Sequence, residues 1–165
     1  MKSDKRYKNS QQRKSPVFFL DRNLGAEKLA GILRPAGFAL VTHHDKYGAQ
    51  RTRVSDPEII ADCGLSRWVL LTADRDLEFT YAAEITTAKI AVFILSNNHE
   101  GPSKWGPRVV TAKPRIETEL GRRRKPFAAH ITAEGHINQV RLYYKKKTKV
   151  IRIAKKRKKQ VAAAA

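Results

Sequence analysis

Short apolar runs divide the chain, and each has the length and composition of a β-strand. Several are rich in Val, Ile and Phe, and residues typical of turns separate them. The predicted strands are Val17–Leu20, Phe38–Thr42, Trp68–Leu71, Ile90–Leu95, Phe127–Thr132 and Gln139–Tyr144. The last two flank Glu134-Gly135-His136, which predicts a β-hairpin.

Between the strands, apolar residues recur at helical spacing. The predicted helices are Leu24–Ala36, Asp56–Cys63, Asp74–Thr87 and Val109–Leu120. Ser55 or Asp56 can cap the second helix and Pro57 suits its first turn, whereas Pro114 interrupts the last helix. The polar stretches 43–54 and 97–106 are predicted loops. Strands that alternate with helices predict an α/β fold, with a parallel sheet flanked by helices.

Charge divides the 165 residues into three parts. Residues 1–15 carry six Lys or Arg and one acid, and residues 145–165 carry ten Lys or Arg and no acid. The formal net charge is +19, of which residues 16–144 contribute only +4. We therefore predict one folded domain over 16–144, with a basic, disordered N-terminal arm and a basic C-terminal tail. Such arms attract nucleic acid, anionic membrane or an acidic protein.

Other features of the composition exclude several classes of protein. The single cysteine, Cys63, rules out an internal disulfide and is expected to be a small core residue. No apolar run approaches the length that crosses a bilayer, and the polar start lacks the apolar segment of a secretory signal. A soluble cytoplasmic protein without a membrane partner is the expectation.

Carboxylates stand where two predicted strands end. Val17–Leu20 runs straight into Asp21, and Trp68–Leu71 is followed by Thr72-Ala73-Asp74. In a parallel sheet both aspartates emerge at the carboxyl edge, where α/β folds place their active sites. Several carboxylates converging there would bind a hard divalent cation. Thr72 would then be placed to position a water molecule or a phosphate.

Each acid also has a structural interpretation. Asp56 and Asp74 can be helix caps, and Glu58 can favour the positive end of a helix. Three further acids can be ordinary surface residues: Asp76, Glu78 and Glu84. Taken together, crowded carboxylates repel one another, and a fold tolerates them mainly when a cation neutralises their charge.

The remaining polar and aromatic residues carry weaker signals. His43 and His44 have no Cys or further His at ligand spacing. His99, His130 and His136 are isolated and are expected in ordinary polar roles. Trp105, in a predicted loop, is interpreted as an anchor on the core, with stacking on a nucleic-acid base as the alternative.

Three segments together resemble a known family. They are Val17–Gly25, Asp56–Ile60 and Trp68–Asp76, and their order and spacing resemble the PIN-like domains of VapC-type toxin ribonucleases. Glu84 and the strand Ile90–Leu95 fit the same pattern. The resemblance is good as far as about residue 97, and it is loose from there to the basic tail.

The resemblance implies a Rossmann-like sheet and a cluster of acids that binds Mg²⁺ or Mn²⁺. It also implies hydrolysis of RNA phosphodiester bonds and an antitoxin partner that blocks the site. Asp21 and Asp74 are the metal ligands that match best, followed by Asp56, and Asp76 matches the second aspartate seen in many members. Either Asp56 or Glu58 supplies the ligand on the helix; Asp56 is favoured, with Glu58 acting through a water molecule.

The predicted function is a metal-dependent endoribonuclease, the toxin of a type II toxin–antitoxin pair. Arg22, Asn23, Thr72 and Arg75 are the predicted substrate-binding residues. The partners considered are an RNA substrate, an acidic antitoxin and a second copy of the chain forming a homodimer. The alternative function is a non-catalytic nucleic-acid-binding protein that uses the PIN-like scaffold and the basic tails.

Overall fold

One six-stranded sheet organises the protein. A computed structural model describes residues 15–49, 53–96, 99–140 and 142. The strands are β1 Val17–Leu20, β2 Ala39–Thr42, β3 Val69–Thr72, β4 Ala91–Leu95, β5 Phe127–Ile131 and β6 Ile137–Val140. Their order in the sheet is β2-β1-β3-β4-β5-β6. Neighbours from β2 to β5 are parallel and β6 is antiparallel to β5, which confirms the α/β fold and the hairpin.

Helices cover both faces of the sheet. They are α1 Ala26–Leu33, α2 His43–Tyr47, α3 Asp56–Ser66, α4 Leu77–Thr80, α5 Ala82–Ala88 and α6 Pro102–Arg122, with a 3-10 turn at Arg22–Leu24. Helices α1 and α6 pack on one face, and α3 and α5 pack on the other. Within the described residues, no helix is both long and apolar enough to cross a membrane. The predictions for the basic arm and tail concern residues 1–14 and 145–165, which lie outside the described residues.

Alternate residues of each strand feed two separate apolar cores. Leu20, Leu71 and Phe93 belong to the core beneath α1 and α6, whereas Phe19 and Leu70 belong to the core beneath α3 and α5. This alternation follows from the two-residue period of a strand. The central strands β3 and β4 are buried on both faces, which explains why they are continuous apolar runs in the sequence.

Two predictions for the segments between β2 and β4 are wrong in detail. The stretch 43–54 was predicted as a loop, but it contains α2, whose start is a reciprocal cap between Thr42 and Asp45. The helix predicted over 74–87 is two helices, because the chain leaves the helical conformation at Tyr81.

Helix α3 passes through Gly64, where the sequence predicted its end. A Cβ atom at Gly64 would lie 2.8 Å from the carbonyl oxygen of Ala88, so this glycine allows α3 and α5 to touch. The helix ends instead at Ser66, and the next residue, Arg67, has a left-handed φ of 58° and an N–H that bonds back to the carbonyl of Cys63. Cys63 is fully buried, as predicted, and burial raises the pKa of its thiol to about 12.

Helix α6 begins earlier than predicted and contains both Pro107 and Pro114. Both prolines are exposed, while the opposite side of the helix buries Trp105, Val109, Ala112 and Ile116. Burial of this stripe outweighs the roughly 3 kcal/mol that an internal proline can cost. Trp105 therefore packs in the core, as its favoured interpretation stated.

The contact between α1 and α6 depends on Gly106. A Cβ atom there would lie 2.7 Å from two carbon atoms of Ile32. We expect Gly106→Ala to lower the free energy of unfolding by about 1–3 kcal/mol, although alanine favours a helix. Gly31→Ala is the control, because nothing lies within 4 Å of a Cβ atom at Gly31. Urea unfolding measures both, and equal stability of the two variants would contradict a tight α1–α6 contact.

Candidate active site

Asp21 leaves the carboxyl end of β1 and is held in place from β3. Its N–H donates to the carbonyl oxygen of Leu71 at 3.1 Å, and the Thr72 hydroxyl donates to its Oδ2 at 2.8 Å. Only 5% of Asp21 is exposed. Asp21 therefore lies at the carboxyl end of β1, the place that the sequence predicted, and the neighbouring strand fixes it there.

The hydroxyl of Thr72 is the centre of the network around Asp21. Besides donating to Asp21, its Oγ1 accepts hydrogen bonds from Asn23 Nδ2 at 3.2 Å and from the Asp74 N–H at 3.1 Å. One donor and two acceptor positions are all that a hydroxyl offers. Asn23 in turn accepts from the Ala73 N–H at 3.3 Å. In the structure Thr72 and Asn23 thus hold the Asp21 carboxylate and the backbone of Ala73 and Asp74 in place.

Asp56 is the first residue of α3 and is partly buried. Burial raises the pKa of Asp21, the Thr72 hydrogen bond lowers it, and the negative charge of Asp56 raises it again. The negative charge of Asp56 therefore acts on Asp21 and disfavours its charged form. The structure thereby brings together Asp21 and Asp56, which are 35 residues apart in sequence.

Asp74 and Asp76 lie just beyond β3. Asp74 is partly buried, and its Oδ1 accepts the N–H of Asp76 at 2.9 Å. Asp76 is exposed and precedes the first residue of α4. Asp74 is therefore tied both to the network of Thr72 and to the turn that starts α4, whereas Asp76 is at the surface of the same turn.

Glu58 closes the start of α3. Its Oε2 accepts from the Ser55 N–H at 3.0 Å and from the Ser55 hydroxyl at 2.8 Å, which is a capping box. These bonds give Glu58 a structural role, whereas Asp56 is the acid of α3 whose charge raises the pKa of Asp21. Glu84 is partly buried on α5, where it lines a groove shared with Pro57.

Two arginines flank the carboxylates. Arg22 directly follows Asp21, and Arg75 directly follows Asp74; both are exposed. The charge of Arg22 lowers the pKa of Asp21 slightly against the effects that raise it. An exposed guanidinium on the residue after each acid can bind a phosphate by charge-assisted hydrogen bonds.

The donor set fits a divalent cation in chemistry, although the acids are not gathered tightly. Among the residues that the structure describes, no three His, Cys, Asp or Glu side chains are arranged so that they could hold a metal ion. Magnesium, however, usually retains several water molecules and binds one or two protein carboxylates together with substrate phosphates. Burial and the charge of Asp56 raise the pKa of Asp21, so a cation bound there would stabilise the charged form of this carboxylate.

One polar residue beside Asp21 was not predicted. Leu20 pairs with Thr42, so His43 follows β2 at the level where Asp21 follows β1. Burial lowers the pKa of His43, as does the charge of Arg22, while Asp21 raises it. Its Nε2 is sealed from solvent without a hydrogen-bond partner. The strand pairing that places His43 here cannot be seen in its neighbouring residues.

A second polar pair lies on the same side of the sheet. Glu78 is only 4% exposed, so its interpretation as a surface acid is wrong. Both of its carboxylate oxygens lie 3.2 Å from Nε2 of His130. The sequence signal for this pair is limited to the pattern of β5, where His130 shares a face with buried Ala128.

The raised pKa of Asp21 predicts an unusual effect on stability. An aspartate titrates near 3.8 without such effects, and Asp21 titrates higher in the fold. Its stabilising contribution is complete below pH 3.8 and is lost as the pH rises through the folded value. We therefore expect Asp21→Asn to raise the melting temperature of the metal-free protein at pH 7 by a few degrees, with a smaller effect at pH 3.5.

Asp45→Asn is the matched control for this measurement. Hydrogen bonding to the Thr42 N–H lowers the pKa of Asp45, so its stabilising contribution is present at neutral pH and lost in acid. This variant should therefore be less stable at pH 7. Thermal unfolding in EDTA compares the two variants. A melting temperature of Asp21→Asn below that of the wild-type protein at pH 7 would show that the charged carboxylate of Asp21 does not destabilise the fold.

Comparison with known proteins gives one match. Residues 16–97 match the family model described as PIN like domain. No curated protein and no solved structure shows significant similarity to the chain. The matched range contains Asp21, Asp56, Asp74 and the network of Thr72. It ends shortly after β4 and does not include α6 or the β5–β6 hairpin.

Proposed function

This chain carries a PIN-like domain over residues 16–97, and we propose that it is a metal-dependent endoribonuclease that hydrolyses RNA phosphodiester bonds. The observation that carries the proposal is the buried Asp21 at the carboxyl edge of the sheet, where the charge of Asp56 also acts on it. A fold keeps two repelling carboxylates together at some expense of stability, and binding of a cation gives them a function.

We assign Asp21, Asp56 and Asp74 to binding Mg²⁺ or Mn²⁺. Asp76 stands on the same turn and would join them through a water molecule, as would Glu58 if its cap opened. When bound, such an ion activates a water molecule and neutralises charge that develops on the phosphoryl group. The carboxylates themselves fix where that happens, at the edge shared by β1 and β3.

The remaining residues of the site position groups. The hydroxyl of Thr72 and the amide of Asn23 hold Asp21 and the backbone after β3 in one geometry, so the carboxylates need not rearrange when substrate binds. Arg22 and Arg75 are exposed at the same edge and would bind substrate phosphates by charge-assisted hydrogen bonds.

The finer assignment is a toxin of a type II pair that acts on cytoplasmic RNA and is blocked by an acidic antitoxin. Its support is the motif resemblance together with an apolar groove of about 530 Å³ between α3 and α5. Leu65, which lines this groove, is 85% exposed. A small acidic protein or a second copy of the chain would cover it. Co-purification followed by measurement of the mass of the complex distinguishes these partners.

The second candidate is a non-catalytic nucleic-acid-binding protein. It is favoured by the absence of a ready three-ligand group among the described residues and by the engagement of Glu58 in a helix cap. In that case the carboxylates would be retained without a catalytic use. Binding of RNA would then be indifferent to divalent metal.

The experiment that separates the candidates uses the full-length protein and a mixed pool of structured and single-stranded RNA. We expect cleavage with Mg²⁺ or Mn²⁺ and none with EDTA. Matched DNA in parallel reports the substrate class. Binding without cleavage under either metal would contradict the nuclease and support the scaffold, and cleavage that persists in EDTA would contradict the role of the metal.

A further inference from the structure

Four residues form a row across the carboxyl edge of the sheet: Asp21, Thr72, Ile94 and His130. Thr72 pairs with Ile94 and Ile94 pairs with His130, while Leu20 pairs with Leu71 and so places Asp21 level with Thr72. Each lies two positions beyond a residue of the core beneath α3 and α5, so all four share one face. His130 therefore stands at the same edge and on the same face as Asp21.

The length of this row can be compared with the spacing of nucleotides along a bound strand. Neighbouring strands lie about 4.8 Å apart, so three strand spacings separate Asp21 from His130 by roughly 14 Å. One strand of stacked nucleic acid advances about 3.4 Å per nucleotide. A strand laid along this edge with a phosphate at Asp21 would therefore reach His130 about four nucleotides away.

Glu78 fixes which nitrogen of His130 carries a hydrogen. Both carboxylate oxygens face Nε2 at 3.2 Å, and an ionised carboxylate only accepts hydrogen bonds. Nε2 therefore carries the hydrogen, and in the neutral ring Nδ1 is left as an acceptor. Glu78 is 4% exposed, so it is fixed by its surroundings, whereas the side chain of His130 is 18% exposed.

The chemistry of Nδ1, the ring nitrogen that does not face Glu78, favours a hydrogen-bond donor as its partner. A phosphate oxygen also accepts only, so it would meet an unfavourable partner in this ring, and the negative charge of Glu78 lies directly behind it. A ribose 2′-hydroxyl can donate, and it is the group that distinguishes RNA from DNA at a given position. His130 thus offers an acceptor, oriented by a buried acid, at the carboxyl edge of the sheet.

We propose that His130 binds a ribose 2′-hydroxyl of the substrate about four nucleotides from the phosphate at Asp21, with Glu78 as its positioning residue. The inference rests on the proposed function only in requiring that a nucleic-acid strand binds at this edge. It makes the protein selective for RNA by a contact distant from the reacting phosphate. Glu78 acts through His130 and does not touch the substrate.

The test measures binding in EDTA, so that it is independent of cleavage. The probes are a single-stranded RNA of twelve nucleotides, the matched DNA, and a set of the same RNA with one 2′-deoxy position each. For the wild-type protein, one deoxy position should weaken binding by about three- to tenfold. In His130→Leu the 2′-deoxy substitution at this position should have no effect on binding. The unmodified RNA should bind this variant as weakly as the singly substituted RNA binds the wild-type protein. The affinity for DNA should be unchanged.

Two further variants separate recognition from folding. His136→Leu replaces an exposed histidine on the same hairpin and should leave the deoxy profile unchanged. Glu78→Gln can donate to Nε2 and so permits the opposite ring tautomer; it should weaken the deoxy effect without a comparable loss of DNA binding. A structural defect would instead lower RNA and DNA binding alike.

Each outcome tests the role of His130 independently of whether the protein cleaves RNA. A deoxy effect that is lost in His130→Leu supports it even if no RNA is cleaved. A wild-type profile without a sensitive position, or one that is identical in His130→Leu, overturns it even if the protein cleaves RNA with Mg²⁺. Sensitivity that follows the base sequence of the probe and not its 2′-hydroxyl would also overturn it, in favour of contact with a base amino group.

Discussion

Asp74→Asn is expected to reduce metal-dependent cleavage by about a thousandfold or more. A bound divalent ion contributes several kcal/mol of transition-state stabilisation, and each 1.4 kcal/mol is a factor of ten in rate. Asparagine keeps an oxygen that can accept the Asp76 N–H, and the backbone N–H at position 74 still donates to Thr72. The local fold should therefore survive while one ligand charge is lost.

The measurement is initial-rate cleavage of a fluorescent RNA at several Mn²⁺ concentrations. Glu117→Gln removes one acid from the surface of α6, far along the chain from the carboxylates, and should cleave like the wild type. Melting temperatures of all three proteins show whether the variants are folded. A folded Asp74→Asn protein with full activity would refute the assignment of this residue.

Asp76→Asn shows how much Asp76 contributes to cleavage in comparison with Asp74, the other aspartate of the same turn. Asp76 is exposed, and its side chain does not cap α4. If Asp76 binds the ion only through water, its replacement should reduce the rate by about ten- to a hundredfold, the range typical of outer-shell partners. Loss equal to that of Asp74→Asn would place both carboxylates on the ion.

The parts of the site that the sequence predicted are those fixed by strand ends. β1 was predicted with its observed bounds, and β3 and β4 differ by single residues, because buried strands are readable as apolar runs. A parallel sheet aligns the ends of its strands, so Asp21 and Asp74 follow from the strands alone.

What the sequence did not predict depends on contacts between distant segments. Glu78 and His130 are 52 residues apart, and neither has a neighbour that marks it as paired. The same holds for His43, whose place beside Asp21 follows from the pairing of β2 with β1. Burial of an acid also depends on the fold around it, which explains why Glu78 was interpreted as a surface residue.

Short helices were missed for a different reason. α2 has five residues and buries none of them, so it has no apolar period to detect. Its only signal is the spacing of Thr42 and Asp45, which fits a capping box. In α6, proline was given too much weight because its position on the exposed side of the helix is known only from the structure.

Deleting residues 145–165 is expected to weaken RNA binding by about a hundredfold or more at 50 mM salt. The segment carries ten Lys or Arg and no acid, which is more than half of the net charge of +19. Proteins that make six to ten phosphate contacts lose about 10³–10⁵ in affinity between 50 and 200 mM salt, because binding releases counterions. The difference between the full chain and the shortened chain should therefore shrink as salt rises.

The matched control removes only the four terminal alanines, residues 162–165, which changes length without changing charge. Binding is measured in EDTA at 50, 100 and 200 mM salt, and the slope of log affinity against log salt is compared. We expect the shortened chain to have the smaller slope, because it neutralises fewer phosphates. Lysines without interleaved aromatic residues carry no sequence information, so the loss should be equal for RNA and DNA. Equal slopes would show that the tail does not contact the phosphates, and a loss confined to RNA would assign recognition of the ribose to the tail and not to the sheet edge.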